Sequence, residues 1–208
     1  MDPDSVVTEI SKISKSKNPS TAKSFIDSII KSTSDDGILF EANYNYALIC
    51  KEANQIDSAL IYSQKSLLIA EKLNKTDYII RSHELLGLIA QLSGDHKLAI
   101  SWFKKILEHP DSVEPFRYAN LMGNNAISHY FLNQTDTAII LLNKALELFK
   151  QNNQMAQYYS EKVNLAKFYF TIEEDEKSRE IFIPYSGTDV LCEDCCEEHS
   201  DVFNFVED

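Results

Sequence analysis

Residues 83–110 read HELLGLIAQLSGDHKLAISWFKKILEHP and contain two apolar patterns of helical period on either side of a turn. Apolar side chains recur three or four residues apart before the turn and again after it: Leu85, Leu86, Ile89 and Leu92, then Leu98, Phe103, Ile106 and Leu107. Between them, Gly94 can end one helix and the carboxylate of Asp95 can cap the next. The stretch therefore predicts an antiparallel pair of amphipathic helices, a helical hairpin.

The hairpin pattern recurs with a fixed period. Each helix of a hairpin contains one small residue, and the two lie 12 residues apart in four successive copies: Ala47 and Ala59, Gly87 and Ala99, Ala126 and Ala138, Ala166 and Ser178. The first member advances by 40, 39 and 40 residues, and turns are expected at Asn54-Gln55, Asn133-Gln134 and Glu173-Glu174. Such a period is typical of a helical solenoid, whereas a helical bundle without repeats is the alternative.

The chain divides into three parts. Residues 1–36 predict a degenerate N-terminal helical hairpin or a cap, because terminal repeats are often atypical. Residues 37–185 contain the four hairpins, the last of them shortened by Pro184. Residues 186–208 form an acidic tail that contains cysteines, and we expect it to be flexible.

Charge and hydropathy exclude several classes of partner. The net charge is −12, of which −8 belongs to the tail, so −4 remains for the other 185 residues. A chain with this charge is a poor ligand for nucleic acid, whose phosphates require Lys and Arg. No apolar run is long enough to span a membrane and no signal peptide is recognisable, so we expect a cytoplasmic protein.

The third hairpin resembles the tetratricopeptide repeat (TPR), whose pattern is W-x2-L-G-x2-Y, then A-x3-F, then P. The matching residues here are His83-x2-Leu86-Gly87-x2-Ala90, then Ala99-x3-Phe103, then Pro110. The period of about 40 is similar to that of the longer-helix type of this family. The resemblance implies an all-α, right-handed superhelical solenoid whose concave groove binds peptides or partner helices.

In a resembling array, the first helix of each hairpin lines the groove. The positions three before, one after and four after its small residue then point inward, which selects Tyr44, Leu48, Glu84, Leu88, Ile127, Tyr130, Val163, Lys167 and Phe170. The same rule adds Lys51, Gln91 and Gly123, and the next position along adds Leu92 and Phe131. The alternative is that several of these side chains fill the core between hairpins. A clamp for a terminal carboxylate would need Lys and Asn where Tyr44, Leu48, Glu84 and Leu88 stand, so that variant is not expected.

Two arginines lie near the starts of first helices. Arg81 and Arg117 could contact acidic groups of a ligand, or they could be solvated surface charges without such a role. We favour the second interpretation.

The tail contains Cys192, Cys195, Cys196 and His199 within eight residues. Cys192 and Cys195 have the C-x2-C spacing that lets two thiolates bind one zinc ion. A structural zinc site usually needs a second such pair, which the sequence lacks, and the neighbouring carboxylates disfavour thiolates. We therefore predict no metal site and no cofactor, and we interpret these cysteines as incidental.

Three functions remain open. We predict a non-catalytic scaffold that binds a protein or peptide, since no P-loop, G-x-G-x-x-G, G-x-S-x-G or H-E-x-x-H motif occurs. One alternative is the sensory or regulatory part of a larger signalling or transcription-regulating protein. Another is a metal-binding or redox-responsive protein that uses the tail. The open C-terminal end of the array could be covered by the tail or by a second copy, which would give a homodimer.

Overall fold

A computed structural model describes residues 3–15 and 18–182. Within these ranges the chain forms ten α-helices and one short 3-10 turn, with no β-strand. The helices are α1 Pro3–Ser14, α2 Pro19–Ser32, α3 Asp36–Glu52, α4 Ile56–Leu73, α5 Thr76–Leu92, α6 His96–Leu107, α7 Pro115–Phe131, α8 Thr135–Gln151, α9 Met155–Thr171 and α10 Asp175–Phe182. The predicted all-α class is confirmed. The acidic tail lies outside the described residues.

The chain divides into two compact units, Met1–Glu114 and Pro115–Asp208. The first unit contains α1 to α6 and the second contains α7 to α10. The boundary falls after α6, which has only 12 residues and is followed by the 3-10 turn Pro110–Ser112. The predicted domain limits at residues 36 and 185 stay a prediction.

The first helices of the four hairpins are equal in length. α3, α5, α7 and α9 have 17 residues each, and their first residues are 40, 39 and 40 positions apart. The second helices vary, with 18, 12, 17 and 8 residues in α4, α6, α8 and α10. The second helices nevertheless begin 40, 39 and 40 residues apart as well, so both helices of the hairpins keep the predicted period and only the lengths of the second helices differ.

Each hairpin turn uses one residue in the left-handed conformation. These residues are Asn54, Gly94, Asn133 and Glu173, with φ values of 54°, 79°, 57° and 61°. In each turn the next residue donates its backbone N–H to a carbonyl five residues earlier, as in Gln55 to Cys50 at 2.8 Å and Asp95 to Ala90 at 2.9 Å. This pattern satisfies the last carbonyl groups of the first helix. All four predicted turns are confirmed.

The small residues lie where the two helices of a hairpin meet. All eight are buried. A Cβ atom added to Gly87 would lie 2.4 Å from Cε1 of Phe103, whose side chain is fully buried. In the last hairpin, the Ser178 hydroxyl donates to the carbonyl of Ala166 at 3.1 Å. Small side chains at these positions therefore allow the helices to approach closely.

Apolar clusters join the hairpins within each unit. In the first unit, Ile10 and Ile26 of the N-terminal hairpin pack against Ile38 and Ile49 of α3. In the second unit, Leu142 and Leu146 of α8 pack against Leu165 of α9. Within the described ranges, no helix has both the length and the apolar composition needed to cross a membrane.

Candidate functional site

The predicted groove residues define one face of the first helices, which we call the groove face. All nine lie within the described residues, and all are partly exposed. In the first unit, Tyr44 and Leu48 also pack against the cluster that includes Ala47, Leu85 and Ile89. Their side chains thus contribute to the core between hairpins as well as to the surface.

In the second unit, Ile127 and Tyr130 pack against the apolar cluster around Leu165. The ring of Tyr130 stacks on Phe168 of α9 at 4.4 Å, and the Tyr130 hydroxyl lies 2.9 Å from the Thr171 hydroxyl. These contacts of Tyr130 join α7 to α9, the first helices of consecutive hairpins.

Two aromatic rings on this face are well exposed. Phe131 at the end of α7 is 60% exposed, and Phe170 near the end of α9 is 52% exposed. Glu84, Leu88, Val163 and Lys167 occupy the rest of the predicted face and are partly buried. Leu92 at the end of α5 is 56% exposed, so the most accessible apolar side chains of the face lie at the C-terminal ends of α5, α7 and α9.

An ion pair joins α3 to α5 in the first unit. The guanidinium of Arg81 donates from Nη1 to Glu41 Oε1 at 2.6 Å and from Nη2 to Glu41 Oε2 at 2.9 Å. The side chains are only 21% and 11% exposed. Glu41 and Arg81 lie one helical turn before Tyr44 and Glu84, so both belong to the groove face.

Aromatic rings surround the Arg81 guanidinium. Its carbon lies 4.3 Å from the ring centre of Tyr44 and 5.1 Å from that of Phe40, which stacks on Tyr78 at 3.8 Å. Burial opposes the charge of Arg81, but the hydrogen bonds and charge of Glu41 outweigh it and raise the pKa of Arg81 above its usual range. The interpretation of Arg81 as a solvated charge is therefore wrong, because the groove face supplies its own counter-ion.

A carboxylate occupies a different position in the second unit. Glu161 of α9 lies against Gly123 of α7, where an added Cβ would be 2.7 Å from Glu161 Oε1. Asn164 donates to Glu161 Oε2 at 3.1 Å. Burial raises the pKa of Glu161, and the hydrogen bond from Asn164 partly offsets this effect. Gly123 therefore provides the space in which this carboxylate sits.

Neither the ion pair of Glu41 with Arg81 nor the half-buried position of Glu161 was predicted from the sequence. Glu41 and Arg81 each lie six residues before a small residue and one period apart, so their opposite charges could have indicated the pair. Glu161 lies five residues before Ala166, where the other hairpins have Ala42, Ser82 and Leu121. A charged residue at a register that the other hairpins fill with small or apolar residues could have indicated this unusual position.

The side chains in residues 3–15 and 18–182 include no group of three His, Cys, Asp or Glu that could hold a metal ion. The candidates Cys192, Cys195, Cys196 and His199 lie outside the described residues. The described groove face offers apolar, aromatic and charged contacts, which suit the binding of another chain.

The sequence profile of the tetratricopeptide repeat family matches residues 39–112. The matched stretch includes nearly all of α3 and all of α4, α5 and α6. Residues 39–112 are therefore similar to the tetratricopeptide repeat. The resemblance inferred from the third hairpin is confirmed. A comparison with curated protein sequences gives no match.

Solved structures extend the TPR fold to most of the chain. BtubC (BKLC) from P. vanneervenii has a TM-score of 0.75 at 18% identity, over 90% of this chain and 85% of that chain. A Rap protein complexed with competence and sporulation factor has a TM-score of 0.70 at 16% identity, over 89% of this chain and 50% of that one. PlcR of Bacillus thuringiensis, in complex with the peptide PapR7 and DNA, has a TM-score of 0.61 at 15% identity, over 99% and 74%.

At these identities, the likeness concerns the fold. The chain has a TPR-like helical solenoid fold: the spacing of its small residues predicted the solenoid, and the resemblance of the third hairpin implied the TPR-like type. Stacked helical repeats in general create extended concave surfaces that can bind a partner.

Proposed function

We propose that this chain is a non-catalytic binding module whose groove face takes up a peptide or a helix of a partner protein. The observation that supports this most directly is the exposure of Phe131 and Phe170 on consecutive first helices, at 60% and 52%. Exposed apolar side chains that lie together often mark an interaction site, and aromatic residues are frequent anchors.

The similar structures add support by analogy of fold. The Rap structure contains competence and sporulation factor, and the PlcR structure contains the peptide PapR7. A peptide or helix is therefore the ligand class that we propose for the groove face here. The absence of a cofactor, the absence of nucleic acid and membrane partners, the cytoplasmic location and the homodimer stay predictions.

The test uses exposed rings, because the partly buried tyrosines also support the core. A displayed library of random peptides is selected on the whole chain, and the affinities of selected peptides are measured by fluorescence anisotropy. Phe131→Ala and Phe170→Ala should each weaken binding about tenfold, which is the usual effect of losing an aromatic anchor.

Ile140→Ala is the matched control. Ile140 is 56% exposed, like the two rings, but it lies on the second helix α8. We expect this variant to bind selected peptides as the wild type does. Equal losses in all three variants, or no peptide selected by the wild type, would contradict the proposal.

A second candidate function is the sensory part of a larger regulator, which the Rap and PlcR similarities favour. A sensor must have two states that differ in affinity for its ligand. Hydrogen exchange should then change on peptide binding in second helices such as α8 as well as in the first helices. Changes limited to α3, α5, α7 and α9 would favour a passive scaffold.

A further inference from the structure

Glu161 stands at a register where the other hairpins have no charge. Five residues before the small residue of the first helix, the chain has Ala42 in α3, Ser82 in α5 and Leu121 in α7, and all three are buried. Burying a carboxylate is unfavourable unless a cation or several donors compensate for lost water. Glu161 therefore requires a reason other than packing.

The surroundings of Glu161 only partly compensate its charge. Among the described residues, Asn164 donates one hydrogen bond to the carboxylate, and no Lys or Arg forms an ion pair with it. Glu161 remains partly exposed, which is a requirement for contact with a ligand. Gly123 leaves a notch on the groove face of α7, and Oε1 of Glu161 lies in this notch.

In the first unit, an arginine of the chain itself compensates the charge of the buried carboxylate. There the carboxylate of Glu41 receives two hydrogen bonds from Arg81, which lies over Tyr44. In the second unit, the positions equivalent to Glu41 and Arg81 are Asn120 and Ser160, and the position equivalent to Tyr44 is Gly123. The internal cation and the ring that covers it are thus both replaced by uncharged residues, while a carboxylate is present.

We propose that Glu161, at the Gly123 notch, binds a Lys or Arg side chain of a peptide held on the groove face. This inference rests on the proposed function and adds the chemistry of one ligand position. The partly exposed Ile127, one turn beyond Gly123 on α7, would contact the aliphatic stem of that side chain. The net charge of −12 also favours a cationic ligand over an acidic one.

The probes are four pools of random heptapeptides with acetylated N-termini and amidated C-termini. The central residue is fixed as Lys, Arg, norleucine or Glu, and the flanking positions contain no other charged residue. The whole chain is incubated with each pool, and bound peptides are quantified by mass spectrometry. The wild type should prefer Lys or Arg to norleucine by about tenfold, as expected for a hydrogen bond between charged groups.

Glu161→Gln keeps the shape of the side chain and removes its charge. This variant should lose the preference for Lys and Arg and should still bind norleucine peptides. Gly123→Ala keeps the charge but displaces the carboxylate, so the preference should fall here too. Glu147→Gln, at an exposed position on α8, is the matched control and should bind like the wild type.

The outcomes separate this inference from the proposed function. A wild type that binds peptides without preferring Lys or Arg would overturn the assignment of Glu161 and leave the binding module intact. A preference that survives Glu161→Gln would do the same. If the wild type binds no pool at all, the proposed function fails, and this inference fails with it.

Discussion

Glu41 and Arg81 lie 40 residues apart, one repeat period, and form a two-point ion pair across the groove face of the first unit. Their Nη–Oε distances are 2.6 and 2.9 Å, and neither side chain is more than 21% exposed. The pair joins the first helices of two consecutive hairpins. Because both charges are largely withdrawn from water, each depends on the other.

The first prediction is that this pair is strongly coupled. Arg81→Met leaves the Glu41 carboxylate largely buried without its cation, so the first unit should lose about 3 kcal/mol of unfolding free energy. Urea unfolding followed by the fluorescence of Trp102 measures this unit, because Trp102 is the single tryptophan of the chain and lies in α6.

The double variant Glu41→Leu/Arg81→Met supplies the control. Replacing both charges by apolar side chains removes the unpaired group, so the double variant should be more stable than Arg81→Met alone. Additive losses in the two single variants and the double variant would show that the pair contributes no coupling.

The second prediction concerns the contact between Gly87 and Phe103. A Cβ at residue 87 would lie 2.4 Å from Cε1 and 2.8 Å from Cδ1 of a ring that is fully buried. Gly87→Ala should therefore destabilise the first unit by roughly 2 kcal/mol through overpacking, despite the better helix propensity of Ala. Urea unfolding with Trp102 fluorescence again gives the value.

Shortening the opposing side chain should relieve part of the strain. Gly87→Ala/Phe103→Leu is expected to be more stable than the sum of the two single losses, because Leu leaves room for the added methyl group. If the two losses simply add, the Phe103 ring is not the obstacle.

Much of the fold follows from the sequence because local rules and the repeat period agree. A turn needs a residue that tolerates positive φ, and Asn54, Gly94 and Asn133 are such residues. A close helix crossing requires small side chains, and Gly87 and Ala99, 12 residues apart, provide them on the two helices of one hairpin. The end of α6 also follows from the sequence, since its apolar pattern stops at Leu107 and Pro110 begins a 3-10 turn before α7.

The candidate site could be predicted only in part. The rule that selects groove positions placed Tyr44 and Phe170 on a partly exposed face. It did not reveal that Arg81 turns toward Glu41, because this depends on side-chain conformations across two helices. Nor did it reveal the contact of Glu161 with Gly123, which requires the distance between α7 and α9.

The third prediction concerns pH. Burial, together with the charge of Lys105, lowers the pKa of His83 from 6.5 to about 4. The folded state thus binds this proton less readily than the unfolded chain does. The contribution of neutral His83 to stability is complete above pH 6.5 and is lost as the pH falls through about 4.

His83→Gln removes this titration. The stability of the wild type relative to His83→Gln should therefore decrease as the pH falls from 6.5, by at most about 1.4 kcal/mol per pH unit. Urea unfolding at several pH values, again with Trp102 fluorescence, measures the difference. His109→Gln, at an exposed position of the same unit, should keep the wild-type dependence. Parallel curves for the wild type and His83→Gln would refute the prediction.

The fourth prediction concerns Glu173, which occupies the left-handed position of the last hairpin turn with φ of 61°. The equivalent turns use Asn or Gly, which adopt this conformation at lower cost than a residue with a longer side chain. Glu173→Gly should stabilise the turn between α9 and α10 by roughly 0.5–1 kcal/mol, after the greater freedom of Gly in the unfolded chain is subtracted. Glu173→Asn should act in the same direction.

Hydrogen exchange of the α9 and α10 amides measures the effect, because the second unit contains no tryptophan. Asn133→Gly is the control, since Asn already tolerates this conformation and exchange should change little. Faster exchange in Glu173→Gly would mean that the glutamate side chain stabilises the turn by more than its backbone costs.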